Sequence, residues 1–142
     1  MAIHNYSTAL RSAQAQAIID QLDAQSDPGT FKFYTTPLPA TVGAAITTQT
    51  LLGTVTLAKP SGTVSNGVLT FSAMVDDTNA AATGSAAFVR AADGSGLFVA
   101  DLKATLNGDG GPVTMASLQI YQGGTLHVTS ATITIGNSTA LS

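Results

Sequence analysis

The stretch Val64-Ser65-Asn66-Gly67-Val68-Leu69-Thr70-Phe71 decides the fold class. Asn-Gly between β-formers is a tight-turn signal, because both residues tolerate positive φ. Beyond the turn, Leu69, Phe71, Ala73 and Val75 alternate onto one face. Working outward, Thr30-Phe31-Lys32-Phe33-Tyr34-Thr35 alternates in the same way, with Phe31 and Phe33 together, until Pro37 and Pro39 break it. Leu51 to Leu57 reads as a second strand. Later strands are expected near Gly84–Ala91 and Gly96–Ala104, joined by a hairpin at Asp93-Gly94-Ser95-Gly96. In the second of these, Phe98, Ala100 and Leu102 are expected to face away from Asp101 and Lys103. Val113–Tyr121 and Thr125–Ile135 form the last pair. Leu126 and Val128 have the opposite parity to Ala131, Ile133 and Ile135, so a bulge is expected near Thr129-Ser130.

Seven or eight short strands with turns at regular intervals predict a mainly β fold, an antiparallel β-sandwich. One helix precedes it. Across residues 6–24, Tyr6, Leu10, Ala13, Ala17, Ile18 and Leu22 recur at helical spacing and share a broad face, with Ile19 outside it. Arg11, Ser12, Gln16 and Asp23 lie on the opposite flank. Asn5, Ser7 or Thr8 supplies a cap, and Ser26-Asp27-Pro28-Gly29 ends the helix. With no strand before it, the helix has no place in a βαβ unit. It is expected to cover a sheet face or dock onto another chain. The expected organisation is a helical arm over 1–29, a β-sandwich over 30–136 and a tail over 137–142. The arm is expected to serve assembly more than folding, and its six-residue stripe is the candidate interface.

Only 9% of the residues are charged, against about 25% in an ordinary soluble domain. The acids are all Asp, and Ser and Thr carry most of the polarity. Such a surface desolvates cheaply and suits lasting contacts with other chains. The net charge is −3 and the bases are scattered, so no footprint for nucleic acid is present. No apolar run reaches the length of a membrane span, and the first residues do not read as a signal peptide. With no Cys, disulfides and thiolate chemistry are excluded.

Catalytic parts are few. His4 sits in the leader and His127 in a strand, and no Gly-x-Ser-x-Gly elbow accompanies them. Asp76 and Asp77 are adjacent and would diverge in a strand. Asn107-Gly108-Asp109-Gly110-Gly111-Pro112 lacks the spaced acids of a calcium loop and reads as a flexible turn. The Asn137-Ser138-Thr139 sequon carries no weight without a signal peptide. No enzyme activity, cofactor or metal is expected.

The chain resembles a family of small structural proteins of tailed bacteriophage virions. The resemblance lies in the leader Tyr6–Asp20, in Phe31-Lys32-Phe33-Tyr34-Thr35, in Leu51–Leu57, in Gly67–Phe71 and in Val128–Ile135. It implies a part of the particle, made in the host cytoplasm. The favoured reading is a cement or decoration protein on the head shell, with the major capsid protein or other virion proteins as partners. Self-association as a dimer or trimer is expected. A tail, collar or head–tail junction component is the alternative, and a soluble ligand- or carbohydrate-binding β module is the alternative from another class.

Overall fold

The structure, a computed structural model, describes residues 5–136. His4 and the tail with its sequon lie outside the described residues. The elements, in order, are α1 (Thr8–Leu22), β1 (Thr30–Tyr34), β2 (Leu51–Thr56), β3 (Gly62–Ser65), β4 (Val68–Phe71), β5 (Gly84–Ser85), β6 (Phe88–Ala92), β7 (Phe98–Leu106), β8 (Val113–Met115), β9 (Gln119–Ile120) and β10 (Ser130–Thr134).

An eight-stranded sheet runs in the order β2-β1-β6-β7-β8-β10-β4-β3, and β5 and β9 form a small second sheet. The large sheet curls back on itself. Phe31 on β1 and Phe71 on β4 stand far apart in the strand order, yet their rings meet edge to face with centroids 5.1 Å apart. The two halves of the curled sheet thus enclose one core, and the fold is the mainly β sandwich, or half-barrel, with an N-terminal helix. The outer edge of β2 is sealed. Thr56 and Val75 exchange both main-chain bonds at 3.2 and 2.8 Å, Ala81 N–H donates to the Leu52 carbonyl, and Thr54 N–H donates to the Asp77 carboxylate.

The hairpin between β3 and β4 has the expected form: Asn66 and Gly67 have φ of 52° and 77°, and Ser65 pairs with Val68. Other expectations need correction. The strand expected over Gly84–Ala91 splits into β5 and β6, because Ala86 N–H turns to the Leu118 carbonyl while Phe88 joins β1 and β7. The alternation after β4 stops at Phe71. Ala73 is exposed and Val75 is 65% exposed, since the chain leaves the sheet at Ser72 and returns only to bridge Thr56. The phase change before β10 is a break, not a bulge inside one strand: Leu126 bridges Asp77, and a new strand starts at Ser130.

The helix docks through a face other than the one expected. Ser7 caps it, accepting from Leu10 N–H at 3.1 Å. Ala15, Ile19 and Leu22 are buried, and they pack with β3, β4 and β7. Ala13 and Ala17 are exposed, as are Tyr6 and Leu10. At about 100° per residue these two sets stand nearly opposite each other. Both sides of α1 are therefore apolar, and polar ties choose between them. Ser12 Oγ accepts from Gly67 N–H at 2.9 Å near one end, and Asp23 accepts from Ser61 N–H at 3.0 Å at the other. Arg11 also turns inward, toward the Ile135 carbonyl. These ties orient α1 with Ile19 toward the core.

Candidate interface along an open strand edge

The run Asn107–Pro112 has a specific task. It joins β7 to β8, and these two strands pair in parallel, with Ala104 opposite Val113 and Leu106 opposite Met115. Parallel neighbours ordinarily need a crossover of about a dozen residues. Here the chain reverses within a few residues because Gly108 and Gly110 adopt positive φ. Gly111 then passes so close to Thr105 that a Cβ would lie 2.5 Å from its hydroxyl oxygen.

This return leaves a lane of the sheet only partly filled. β8 starts opposite Ala104, so among the described residues the Phe98–Lys103 part of β7 has β6 on one side and no strand on the other. On the far side of the lane, β10 continues past β8 through Thr132–Thr134. The direction of the main-chain groups follows from the register. Ile135 N–H bonds the Gly67 carbonyl, so odd positions of β10 point to β4 and even positions point into the lane. Thr132 N–H is met by the Pro112 carbonyl at 2.8 Å. Thr134 N–H has no protein partner among the described residues. On β7, Ala104 N–H bonds the Ala87 carbonyl, so Asp101, three positions earlier, turns its main-chain groups away from β6 and toward the lane.

The open lane is a groove of about 340 Å³ lined by Leu102, Gly110, Gly111, Pro112 and Thr132–Thr134. Three consecutive residues of one strand line it, so it looks onto the strand edge and not onto a sheet face. Two further hollows lie along β7. Leu102 also lines one with Leu38, Pro39, Phe88, Asp101 and Lys103, and Asp101 and Pro39 line the next with Val42. The long connection between β1 and β2 forms the wall there. It crosses the outer face of the sheet, with Gly43 against the Phe98 ring, and it leaves Val42 92% exposed.

A charged post stands beside the groove. Arg90 donates two bonds to Asp101, at 2.8 and 2.9 Å, and its guanidinium lies 5.1 Å from the Phe98 ring centre. The hydrogen bond to Asp101 raises the Arg90 pKa above its ordinary value, against a smaller opposing effect of burial. The sequence pattern had set Phe98 and Asp101 on opposite faces. A register shift between Ala91 and Ala92 changes the parity and brings both to Arg90.

The β6–β7 turn is fastened by Asp93, which accepts from Ser95 N–H, Ser95 Oγ–H and Leu97 N–H. The Ser95 hydroxyl bond is the chief cause of a pKa below the usual carboxylate value. A depressed folded-state pKa contributes stability above the unfolded value of about 3.9, and that contribution disappears as pH falls through the folded value. Asp93→Asn is expected to flatten the acid side of the stability profile. Urea midpoints at pH 7 and pH 3 should differ less for the variant than for the parent chain.

The other candidate residues are dispersed. Of the six proposed on the leader, Leu22 is in the core and Ile18 is half-buried, Leu10, Ala13 and Ala17 face outward from α1, and Tyr6, just before the helix, is exposed. His127 Nδ1 lies 2.7 Å from Asp76 on the surface. Asp77 turns the other way, to Thr54 and Asn79 N–H, so the two acids do not converge. The groove residues were missed by sequence reasoning. The signals nearest to them are the Gly-Gly-Pro run at 110–112 and the uncharged stretch over 33–58.

No family model matches the chain, and no curated protein or solved structure matches it at significance. No helix among the described residues is long and apolar enough to cross a membrane.

Proposed function

We propose that this protein is a structural component of a tailed-bacteriophage virion, a cement protein that holds neighbouring subunits of the head shell together by surface contact. The observation that carries this reading is the uncharged segment over 33–58, whose connection between β1 and β2 crosses the outer face of the sheet and presents Leu38 and Val42 to solvent beside an unpaired strand edge. Apolar side chains lose little on leaving water, and hydroxyls and unpaired main-chain groups can recover their hydrogen bonds from a partner in a close contact. The outward stripe of α1, with Leu10, Ala13 and Ala17, supplies a second apolar surface on the same chain. Self-association into a closed oligomer belongs to this proposal, since neutral surfaces favour symmetric contacts.

Many modest contacts repeated over a shell add up, because binding only to the assembled state stabilises that state. Particles stripped of the protein should rupture at lower temperature than complete ones, and adding it back should restore them. Equal resistance to heat and osmotic shock would overturn the cement role. Labelling confined to a few axial copies would move the assignment to the collar or tail.

A further inference from the structure

We propose that the open lane between β7 and β10 receives an extended, uncharged strand from another protein chain, which pairs edge-on with Thr134 and Asp101. The inference deepens the reading of the protein as a packing component and rests on it for the origin of the strand.

Three observations lead here. First, β8 already occupies this lane at its closed end, between Ala104–Leu106 of β7 and Ser130–Ala131 of β10. At that end the lane holds one strand, about 4.8 Å from each neighbour. Second, unmet main-chain groups point into it from β10 at Thr134, and those of Asp101 turn into it from β7. An added strand supplies complementary donors and acceptors, which is the way extended peptides join a sheet edge. Third, the groove itself is lined by Leu102, Gly110, Gly111, Pro112, Thr132, Ile133 and Thr134; farther along the lane Asp101 is already paired with Arg90 and Lys103 is exposed to water. Gly110 and Gly111 have no side chain to block the way. A charged strand would lose its hydration there without a partner charge, so the fitting occupant is uncharged.

The outer edge of β2 does not compete for such a strand, because Val75, Asp77 and Ala81 already occupy it.

The test uses the full chain and a synthetic β-hairpin whose exposed strand alternates threonine and valine, with lysines only on its other strand for solubility. Amide chemical shifts are followed by NMR as the hairpin is added. The expected result is that the amides of Asp101, Gly110 and Thr134 move together, and that a hairpin with N-methylated amides along the exposed strand moves none of them. Thr134→Pro removes an N–H that points into the lane and not to β4, so it should weaken hairpin binding at least tenfold. Thr134→Ala keeps the N–H and should bind like the parent chain. Thermal melts of both variants show whether the fold is intact. Should Thr134→Pro fail to fold, the methylated hairpin carries the test alone. Shifts confined to Gly62 and Val64, whose main-chain groups face the outer edge of β3, or equal binding by both hairpins, would overturn the proposal. Co-sedimentation with purified particles separates it from the wider reading. A chain that joins particles but ignores the hairpin loses the lane assignment and keeps the virion role. A chain that takes the hairpin but never joins particles does the reverse.

Discussion

Deleting residues 1–26 is expected to abolish cooperative folding. The expectation drawn from the sequence was a soluble β-domain that melts normally without its helix, and the burial of Ala15, Ile19 and Leu22 argues against it. These side chains belong to the same core cluster as Phe31, Leu69, Val113 and Ala131. Losing a buried Ile or Leu side chain costs about 2–5 kcal/mol, and whole domains hold only about 5–15 kcal/mol. Deletion removes both, together with the bonds from Gly67 to Ser12 and from Ser61 to Asp23. The exposed floor of β3 and β4 would then face water. Circular dichroism and urea melts of the truncated chain decide the matter: a sharp transition near that of the full chain would return the helix to the status of a detachable arm. The milder Leu22→Ala variant should remain folded and lose about 2–5 kcal/mol.

Phe31→Ala carries the next largest effect, about 3–5 kcal/mol in the same urea measurement. Phe31 is fully buried on β1 and makes the edge-to-face contact with Phe71 across the two halves of the curled sheet. The substitution removes both the area and the ring contact, which adds about 0.5–1.5 kcal/mol to burial alone. Lys32→Ala, on the neighbouring exposed position, is expected to stay within about 0.5 kcal/mol of the parent chain. Equal losses at the two positions would show that the sheet does not curl as described.

The parts that were legible in the sequence are those fixed by local chemistry. Asn66-Gly67 specifies its turn because positive φ is cheap for those two residues. Phe31 and Phe33 specify the buried face of β1 because the strand period is two. Ser7 marks the helix start. The docking face of α1 was not legible. Alanines at 9, 13, 15 and 17 make several phases equally apolar, and the choice depends on Gly67 and Ser61, far along the chain. The position of Phe98 was hidden by a register shift of one residue. The open lane was the least legible feature. It exists because β10 pairs with β4 beyond the point where β8 ends, and no local pattern encodes that difference in length.

The strand order has a consequence for how the chain leaves the ribosome. β1 is made early, but its neighbour β6 comes about 60 residues later, since Thr30 pairs with Ala92. At a synthesis rate of about 5–20 residues per second, Phe31 and Phe33 wait roughly 3–12 s for that partner. During this interval the nascent segment has little charge to keep it apart from its neighbours, with none over 33–58. High-level expression should therefore be limited by loss of unfinished chains, and slower translation at low temperature or added chaperone capacity should raise the soluble yield more than any change to the finished surface.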